Sequence, residues 1–220
     1  MTRPGSLISC VAFVFGAALC GCGSNTTSGG GASSALDVVA ASGAIAGWTF
    51  DPNNSKTKSG AATATTQPDT EALIDGASAD FFAAPYTPVL FAWETYLNAT
   101  PSTVNTDTGA PDSQFPNGAT LDLKVVQLPT AAQASGLYAS LTSASLYVGK
   151  TWTQPSSPLV GTGSRMTDTG DHWWINFYKG DFYVEVSVGP SYSPPPDFTP
   201  GNATTKAAAF AFATAIAGKI

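Results

Sequence analysis

The sequence has little charge, no excess of basic residues and a single histidine. Only 11% of the 220 residues are charged, and 15 acidic residues outnumber 9 lysines and arginines. Such a chain lacks the cationic surface that gathers the phosphates of a nucleic acid, so we expect no nucleic-acid partner. The hydrophobic content of 43% is enough for one sizeable core, and the length fits one domain with a short extension.

Metal and redox sites also have few residues to draw on. The three cysteines, Cys10, Cys20 and Cys22, all lie near the N-terminus, and His172 lies far along the chain. A Cys-x-Cys pair holds a metal when further Cys or His ligands join it from elsewhere in the fold. Because no cysteine follows Cys22, we predict no metal, no disulfide and no other cofactor.

The N-terminus has the pattern of an export signal. Arg3 supplies a positive charge, and the apolar run from Leu7 to Leu19 carries no charged side chain. This run is well short of the roughly 20 residues that a membrane-spanning helix requires. A cleaved signal peptide is therefore the better interpretation.

The residues that end this run, Leu19-Cys20-Gly21-Cys22, resemble the lipobox of bacterial lipoproteins. Leu19 and Gly21 match the third and first positions before the modified cysteine, so the resemblance implies cleavage before Cys22 and lipid on its sulfur. Cys20 fits less well, because Leu19 would then precede the cleaved bond. Secretion with a free cysteine is the alternative.

The same resemblance implies where the mature protein is held. Each buried acyl methylene contributes about 0.8 kcal/mol, so the two or three chains of a lipoprotein, such as palmitate, form a durable membrane anchor. An Asp directly after the lipid-bearing cysteine commonly causes retention in the inner membrane, and here that position is Gly23. The expected address is the bacterial cell envelope, with the outer membrane favoured over the inner membrane and the periplasm or the cell exterior as the surrounding compartment.

Composition divides the chain into three parts. Residues 1–21 are predicted to be the signal peptide, residues 22–35 a lipidated N-terminus with a flexible tether rich in Gly, Ser and Thr, and residues 36–220 a single globular domain. The polar stretches 52–67 and 98–119 lack any apolar period and are predicted to be loops.

Apolar periodicity within residues 36–220 predicts an α+β domain in the order β-α-β-β-α-β-β-α. The predicted strands are 42–50, 89–97, 120–128 and a hairpin over 172–189, and the predicted helices are 70–85, 130–143 and 202–220. In the hairpin, Lys179 and Gly180 are taken as the loop, which places Phe177 opposite Phe182. Hairpins with few helices predict an antiparallel sheet of about five strands, with helices mainly on one face.

Four short segments also resemble an uncharacterised family of exported bacterial domains of unknown function. They are IAGW at 45–48, LIDGASADFF at 73–82, AAQASGLYAS at 131–140 and FYKGDFYVEV at 177–186. The resemblance covers most of residues 45–188. It implies export and a similar fold, and it implies no activity.

Catalytic motifs are missing from the sequence. There is no Gly-x-Ser-x-Gly, no phosphate-binding loop and no dinucleotide fingerprint, and GTGSR at 161–165 is too short to be one. Asp171 and His172 are neighbours, which on a strand points their side chains to opposite faces, so we interpret them as the polar start of the hairpin. Asp107 and Asp112 lack the spacing of a calcium loop.

Aromatic side chains form the one candidate ligand site. Trp174, Tyr178 and Tyr183 alternate with apolar residues and are predicted to share the outer face of the hairpin, where they can stack on a sugar or another ligand. The alternative is that a helix or loops cover this face.

These observations predict a non-enzymatic, lipid-anchored envelope protein with a binding or structural role. A carrier or sensor for a hydrophobic or glycan ligand is the first alternative. A hydrolase of envelope glycans with a pair of carboxylates is the second.

Overall fold

The computed structural model describes residues 31–76, 78–98, 119–144, 149–155, 159–168, 172–190 and 203–220. The predicted signal peptide, the lipobox and Cys22 lie outside these residues, as do Asp107, Asp112 and Asp171. Among the helices in the described ranges, none is both long enough and apolar enough to cross a membrane.

The described domain contains seven strands and five α-helices. The strands are β1 (Thr49–Phe50), β2 (Ala62–Ala64), β3 (Leu90–Asn98), β4 (Ala119–Gln127), β5 (Gly163–Asp168), β6 (Trp173–Lys179) and β7 (Phe182–Pro190). The helices are α1 (Ala35–Val38), α2 (Gln67–Ile74), α3 (Ser78–Phe81), α4 (Ala131–Ser140) and α5 (Ala203–Lys219), and a 3-10 turn over Leu141–Ser143 follows α4. The mixed α+β class is confirmed.

The strands form one open antiparallel sheet in the order β1-β3-β4-β7-β6-β5, and β2 also pairs with β3. The prediction of about five strands was too low. The extra strands are β2, inside the predicted loop 52–67, and β5, which begins inside GTGSR. Both lie at the margin of the sheet and lack a strong apolar alternation, so their strand form depends on pairing with β3 and β6.

Two predicted elements are shorter than the sequence indicated because of positive backbone φ angles. The predicted strand 42–50 is a strand only at Thr49–Phe50, since Gly43 and Gly47 have φ of 78° and 82°. The predicted helix 70–85 is divided into α2 and α3 by Asp75 at 53° and Gly76 at 124°. Left-handed residues cannot continue a right-handed helix.

The predicted hairpin forms with a different loop. Lys179 pairs with Phe182, so the loop is Gly180 and Asp181, and Phe177 lies opposite Val184 rather than Phe182. Gly180 has a φ of 55°, which favours glycine at the first loop position. The register moves by two residues, and the apolar side chains of both strands therefore still share one face.

Helices cover both faces of the sheet, which corrects the prediction that they lie mainly on one. We call the side covered by α5 and α1 the α5 face and the side covered by α4 and α3 the α4 face. The α5 face packs Phe212 and Ile216 of α5 onto buried residues of β4, β6 and β7. The α4 face packs Leu137 of α4 and Phe81 of α3 onto Phe91, Val126 and Tyr183.

Residues 32–35, within the predicted tether, contact the domain. The backbone N–H of Ala32 donates to the carbonyl oxygen of Lys219 at 3.1 Å. Ala35 begins α1 and is fully buried in the core of the α5 face. The Lys219 ammonium donates to the carbonyl oxygens of Asp37 and Val39. The C-terminal end of α5 thus holds the chain that enters the domain.

Candidate functional site

A row of polar side chains crosses the centre of the α4 face. Strand register places Lys124, Glu185, Asn176 and Arg165 directly beside one another on β4, β7, β6 and β5. Each is at most 8% exposed. Buried polar groups in the middle of a sheet are costly unless each is paired, so the partners of each member decide what the row does.

One half of the row is an ion pair. The Lys124 ammonium donates to Glu185 Oε1 at 2.8 Å and lies 3.5 Å from Asp122 Oδ2. Burial opposes the charged form of Lys124, but Asp122 and Glu185 outweigh it, and the pKa of Lys124 is raised. Burial raises the pKa of Glu185, and Lys124 opposes that shift. In this half of the row, Lys124 and Glu185 are partners of each other, and Asp122 adds a second carboxylate beside Lys124.

The other half of the row has unfilled hydrogen-bonding capacity. Arg165 is 1% exposed, and its Nη1 donates to the carbonyl oxygen of Tyr138 at 2.7 Å. Its Nε and Nη2 make no hydrogen bond of good geometry with a described residue, although the Tyr183 side chain lies close enough to influence the pKa of the guanidinium. Asn176 is fully buried, and neither its amide oxygen nor its amide nitrogen has such a partner.

Two aromatic rings hold the Arg165 guanidinium. Its central carbon lies 4.4 Å from the centroid of the Tyr138 ring and 4.8 Å from that of Trp152. Such cation–π contacts stabilise a desolvated cation. Burial nevertheless lowers the pKa of Arg165, against the opposing influence of Tyr183 and Tyr138. The guanidinium thus has two ring contacts and one hydrogen bond, to the Tyr138 carbonyl oxygen.

The three aromatic residues predicted as a ligand platform all project from the α4 face, but they do not form one exposed surface. Tyr183 is fully buried beside Phe81, and burial raises its pKa. Trp174 and Tyr178 are half-buried. The Lys150 ammonium lies 3.8 Å from the Trp174 ring centroid. The covering that the sequence left as an alternative is therefore present in part.

A surface cleft opens beside the unfilled half of the row. It lies between α4 and the margin of the sheet and encloses a volume of about 320 Å³, within the range of small-molecule sites. Its walls include Tyr138 and Ala139 of α4, Gly163 of β5 and Tyr178 of β6. The Tyr138 ring is thus shared between the cleft and the Arg165 guanidinium.

Gly163 sets the shape of this cleft. A Cβ at Gly163 would lie 2.5 Å from Cε1 of Tyr178, so only glycine lets the Tyr178 ring lie against the backbone of β5. The Tyr178 and Tyr138 rings meet at 5.2 Å between centroids, tilted by 52°. The absence of one side chain therefore brings two aromatic rings together at the cleft.

The single histidine and the acidic residues of the described ranges do not gather into a metal-binding cluster. His172 lies over Gly189, where an added Cβ would clash with its ring, and its ring centroid is 6.3 Å from that of Trp174. This location is on the α4 face but two residue rows away from Arg165.

One further buried carboxyl lies on the α5 face. Glu94 is fully buried, its Oε1 accepts from the backbone N–H of Thr95 at 2.9 Å, and its Oε2 has no partner among the described residues. Burial raises its pKa to about 7, against the opposing influence of the Thr95 backbone N–H and the nearby Thr57 side chain. The described hydrogen bond of Glu94 is to Thr95, which does not line the cleft.

Comparison with known proteins adds no assignment, since no protein-family model, no curated protein and no solved structure matches the chain.

Sequence reasoning missed Arg165 and Asn176. The GTGSR segment is too short for a phosphate loop, and Asn176 lies in the predicted hairpin strand without any motif that marks it. Two features of the sequence could have indicated a strand with an unusual arginine. Arg165 is one of only 9 basic residues, and it is followed by the alternating residues Met166, Thr167 and Asp168. Its burial follows from pairing with β6, which the pattern of the segment alone does not reveal.

Proposed function

We propose that the protein is a lipid-anchored component of the bacterial cell envelope whose domain is a non-catalytic binding module. The ligand site is the cleft between α4 and the strands β5 and β6. One observation supports this above the others: Arg165 and Asn176 are buried beside the cleft with hydrogen-bonding groups that no described residue satisfies. Groups of that kind usually have a partner, and each is costly without one.

A binding role accounts for the residues better than a catalytic one. Acyl transfer needs an activated nucleophile with a base in hydrogen-bond reach, and proton transfer needs a group poised near neutral pH at the reacting atom. Beside the cleft lie an arginine, an amide and tyrosines, which orient a ligand through fixed donors and ring faces. Tyr138 is a poor acid there, since burial raises its pKa.

The two alternatives from the sequence have less support. A carrier for a hydrophobic ligand needs an apolar interior space, whereas both faces of the sheet are filled by buried side chains. A glycan hydrolase needs two carboxylates across the scissile bond, and the described residues that line the cleft include no Asp or Glu. A glycan ligand without hydrolysis remains compatible with the Tyr138 and Tyr178 rings.

Metabolic labelling with palmitate tests the anchor. The wild-type chain and Cys20→Ala should carry label and partition with membranes, and Cys22→Ala should lose both properties. Label that persists on Cys22→Ala would overturn the anchor and leave the cleft untouched.

Native mass spectrometry of the purified protein tests the cleft. Ala139 is exposed on α4 and lines the cleft, so Ala139→Trp should fill it without disturbing the core. Ala132→Trp is the matched control, because Ala132 is also exposed on α4 but does not line the cleft. A co-purifying small molecule that disappears only in Ala139→Trp supports the proposal. A clean apo mass for the wild type counts against it.

A further inference from the structure

We propose that the cleft binds small molecules through an oxyanion group, a carboxylate or a phosphate, which the Nε–Nη2 edge of the Arg165 guanidinium receives. This inference rests on the proposed binding function and adds the chemistry of the ligand. It is carried by the orientation of Arg165, by the lack of an opposite charge beside it, and by its neighbour Asn176.

The guanidinium is buried, and its best recognition edge makes no hydrogen bond of good geometry with a described residue. Nη1 is used by the Tyr138 carbonyl oxygen at 2.7 Å, and the two groups without a described partner are Nε and Nη2. These two N–H groups point in parallel along one edge of the planar guanidinium. That edge matches the two oxygens of a carboxylate or a phosphate, which arginine binds through paired, charge-assisted hydrogen bonds.

No described carboxylate neutralises this arginine. The nearest acid along the polar row is Glu185, two strands away, and its Oε1 is bound by Lys124 at 2.8 Å. The ion pairs that Lys124 forms with Asp122 and Glu185 do not include Arg165. A buried cation without a counter-charge is strongly disfavoured. An anionic ligand supplies that missing charge.

Asn176 provides the polar surroundings for the same group. It lies directly beside Arg165 in the register of β5 and β6. Both atoms of its amide lack a described partner although the residue is fully buried. The amide nitrogen donates hydrogen bonds, so it can serve a further oxygen of the bound oxyanion.

Access to the guanidinium runs past Tyr138. Its ring contacts the guanidinium on one side and lines the cleft on the other, and its hydroxyl has no hydrogen-bond partner among the described residues. An entering ligand therefore has to displace the Tyr138 ring. No described hydrogen bond to the Tyr138 hydroxyl opposes this movement. The body of the ligand then rests in the cleft against Tyr178.

Ligand-observed NMR titrations of the purified full-length protein in mild detergent test this assignment with three probes of similar shape. Benzoate and phenyl phosphate carry the two oxyanions on the same ring, and benzamide is the neutral counterpart of benzoate. We expect both anions to bind at least about tenfold more tightly than benzamide. The relative affinity of the two anions distinguishes a carboxylate source from a phosphate source.

Three variants locate the effect. Arg165→Met should abolish the preference for the anions, and Arg165→Lys, which keeps the charge but loses the fork, should weaken them by about three- to tenfold. Lys58→Met removes the same charge from an exposed position and should change nothing. Circular dichroism checks that each variant is folded. If Arg165→Met does not fold, Arg165→Lys still tests the assignment.

The outcomes separate this inference from the function on which it rests. Anion binding that depends on Arg165 supports it. Benzamide binding as tightly as benzoate, blocked by Ala139→Trp but unaffected at Arg165, would overturn the oxyanion assignment and leave the binding cleft in place. Binding of none of the probes overturns the assignment as well, while the native mass spectrum decides separately whether the cleft holds a ligand.

Discussion

The two faces of the same sheet are built from the same strands but carry different side chains. On the α5 face, β4 contributes Leu121, Leu123 and Val125 to an almost wholly apolar core. On the α4 face, the same strand contributes Asp122 and Lys124, and its neighbours add Glu185, Asn176 and Arg165. Because the backbone is common to both faces, the two faces differ only in the side chains that they carry.

The two faces differ in how much charged and amide surface they bury. Burying apolar surface stabilises a fold in proportion to its area. Burying charged and amide groups contributes little to stability even when they are paired. The α4 face therefore bears a larger cost of polar burial than the α5 face, where Glu94 is the exception, and under our proposal ligand binding offsets that cost.

The largest effect is expected on the α5 face, from Phe212→Ala. The Phe212 ring is buried and lies 4.8 Å from that of Tyr96 and 5.6 Å from that of Trp48. Its loss should leave a cavity and lower the free energy of unfolding by about 4 kcal/mol in urea denaturation. Phe210→Ala, at a partly exposed ring of the same helix, should cost much less. Equal losses would contradict the importance of this core.

On the α4 face, the next largest effect should come from breaking the ion pair. Lys124→Met leaves Glu185 buried without its cation, and we expect a loss of about 3 kcal/mol. The double variant Lys124→Met/Glu185→Leu should return to within about 1 kcal/mol of the wild type, because an apolar pair replaces both charges. If the double variant is as unstable as the single one, the pair is a source of stability and the contrast between the faces fails.

Glu94, the polar exception on the α5 face, should produce a smaller and pH-dependent effect. Its pKa is about 7 in the folded protein, raised by burial from an ordinary value of 4.5. The folded state therefore binds the proton more tightly, and this contribution to stability is present below about pH 4.5 and is lost as the pH rises towards 7.

Glu94→Gln removes this dependence. Between pH 4.5 and pH 8, the free energy of unfolding of the wild type should fall relative to that of the variant by at most about 3 kcal/mol. Urea denaturation at several pH values measures the difference, and Glu71→Gln, at an exposed residue, is the control. A difference that does not vary with pH would show that the Glu94 carboxyl titrates normally.

Much of the fold could be predicted from local patterns, and the failures have common physical causes. The half-buried alternation of β4 and the helical spacing of Ala134, Leu137 and Tyr138 predicted those elements, because each buries its own apolar stripe. The small strands β2 and β5 form only by pairing with β3 and β6. Such pairing depends on distant parts of the chain, which a local pattern does not contain.

The candidate site was harder to predict than the fold. Trp174, Tyr178 and Tyr183 were correctly placed on one face by alternation, but their burial depends on what α3 and α4 cover. Arg165 became a site residue because strand register sets it beside Asn176, and because the Tyr138 carbonyl leaves two of its donors open. Neither relation is visible along the sequence.

The most direct test of the contrast between the faces is the stability of Arg165→Met, because it asks whether the cation buried beside the cleft serves the fold or a ligand. Urea denaturation should give a free energy of unfolding within about 1 kcal/mol of the wild type, or slightly above it, since methionine can pack between the Tyr138 and Trp152 rings without an unpaired charge. A loss of about 3 kcal/mol or more, comparable to breaking the Lys124–Glu185 pair, would show that Arg165 is structural and would contradict the account.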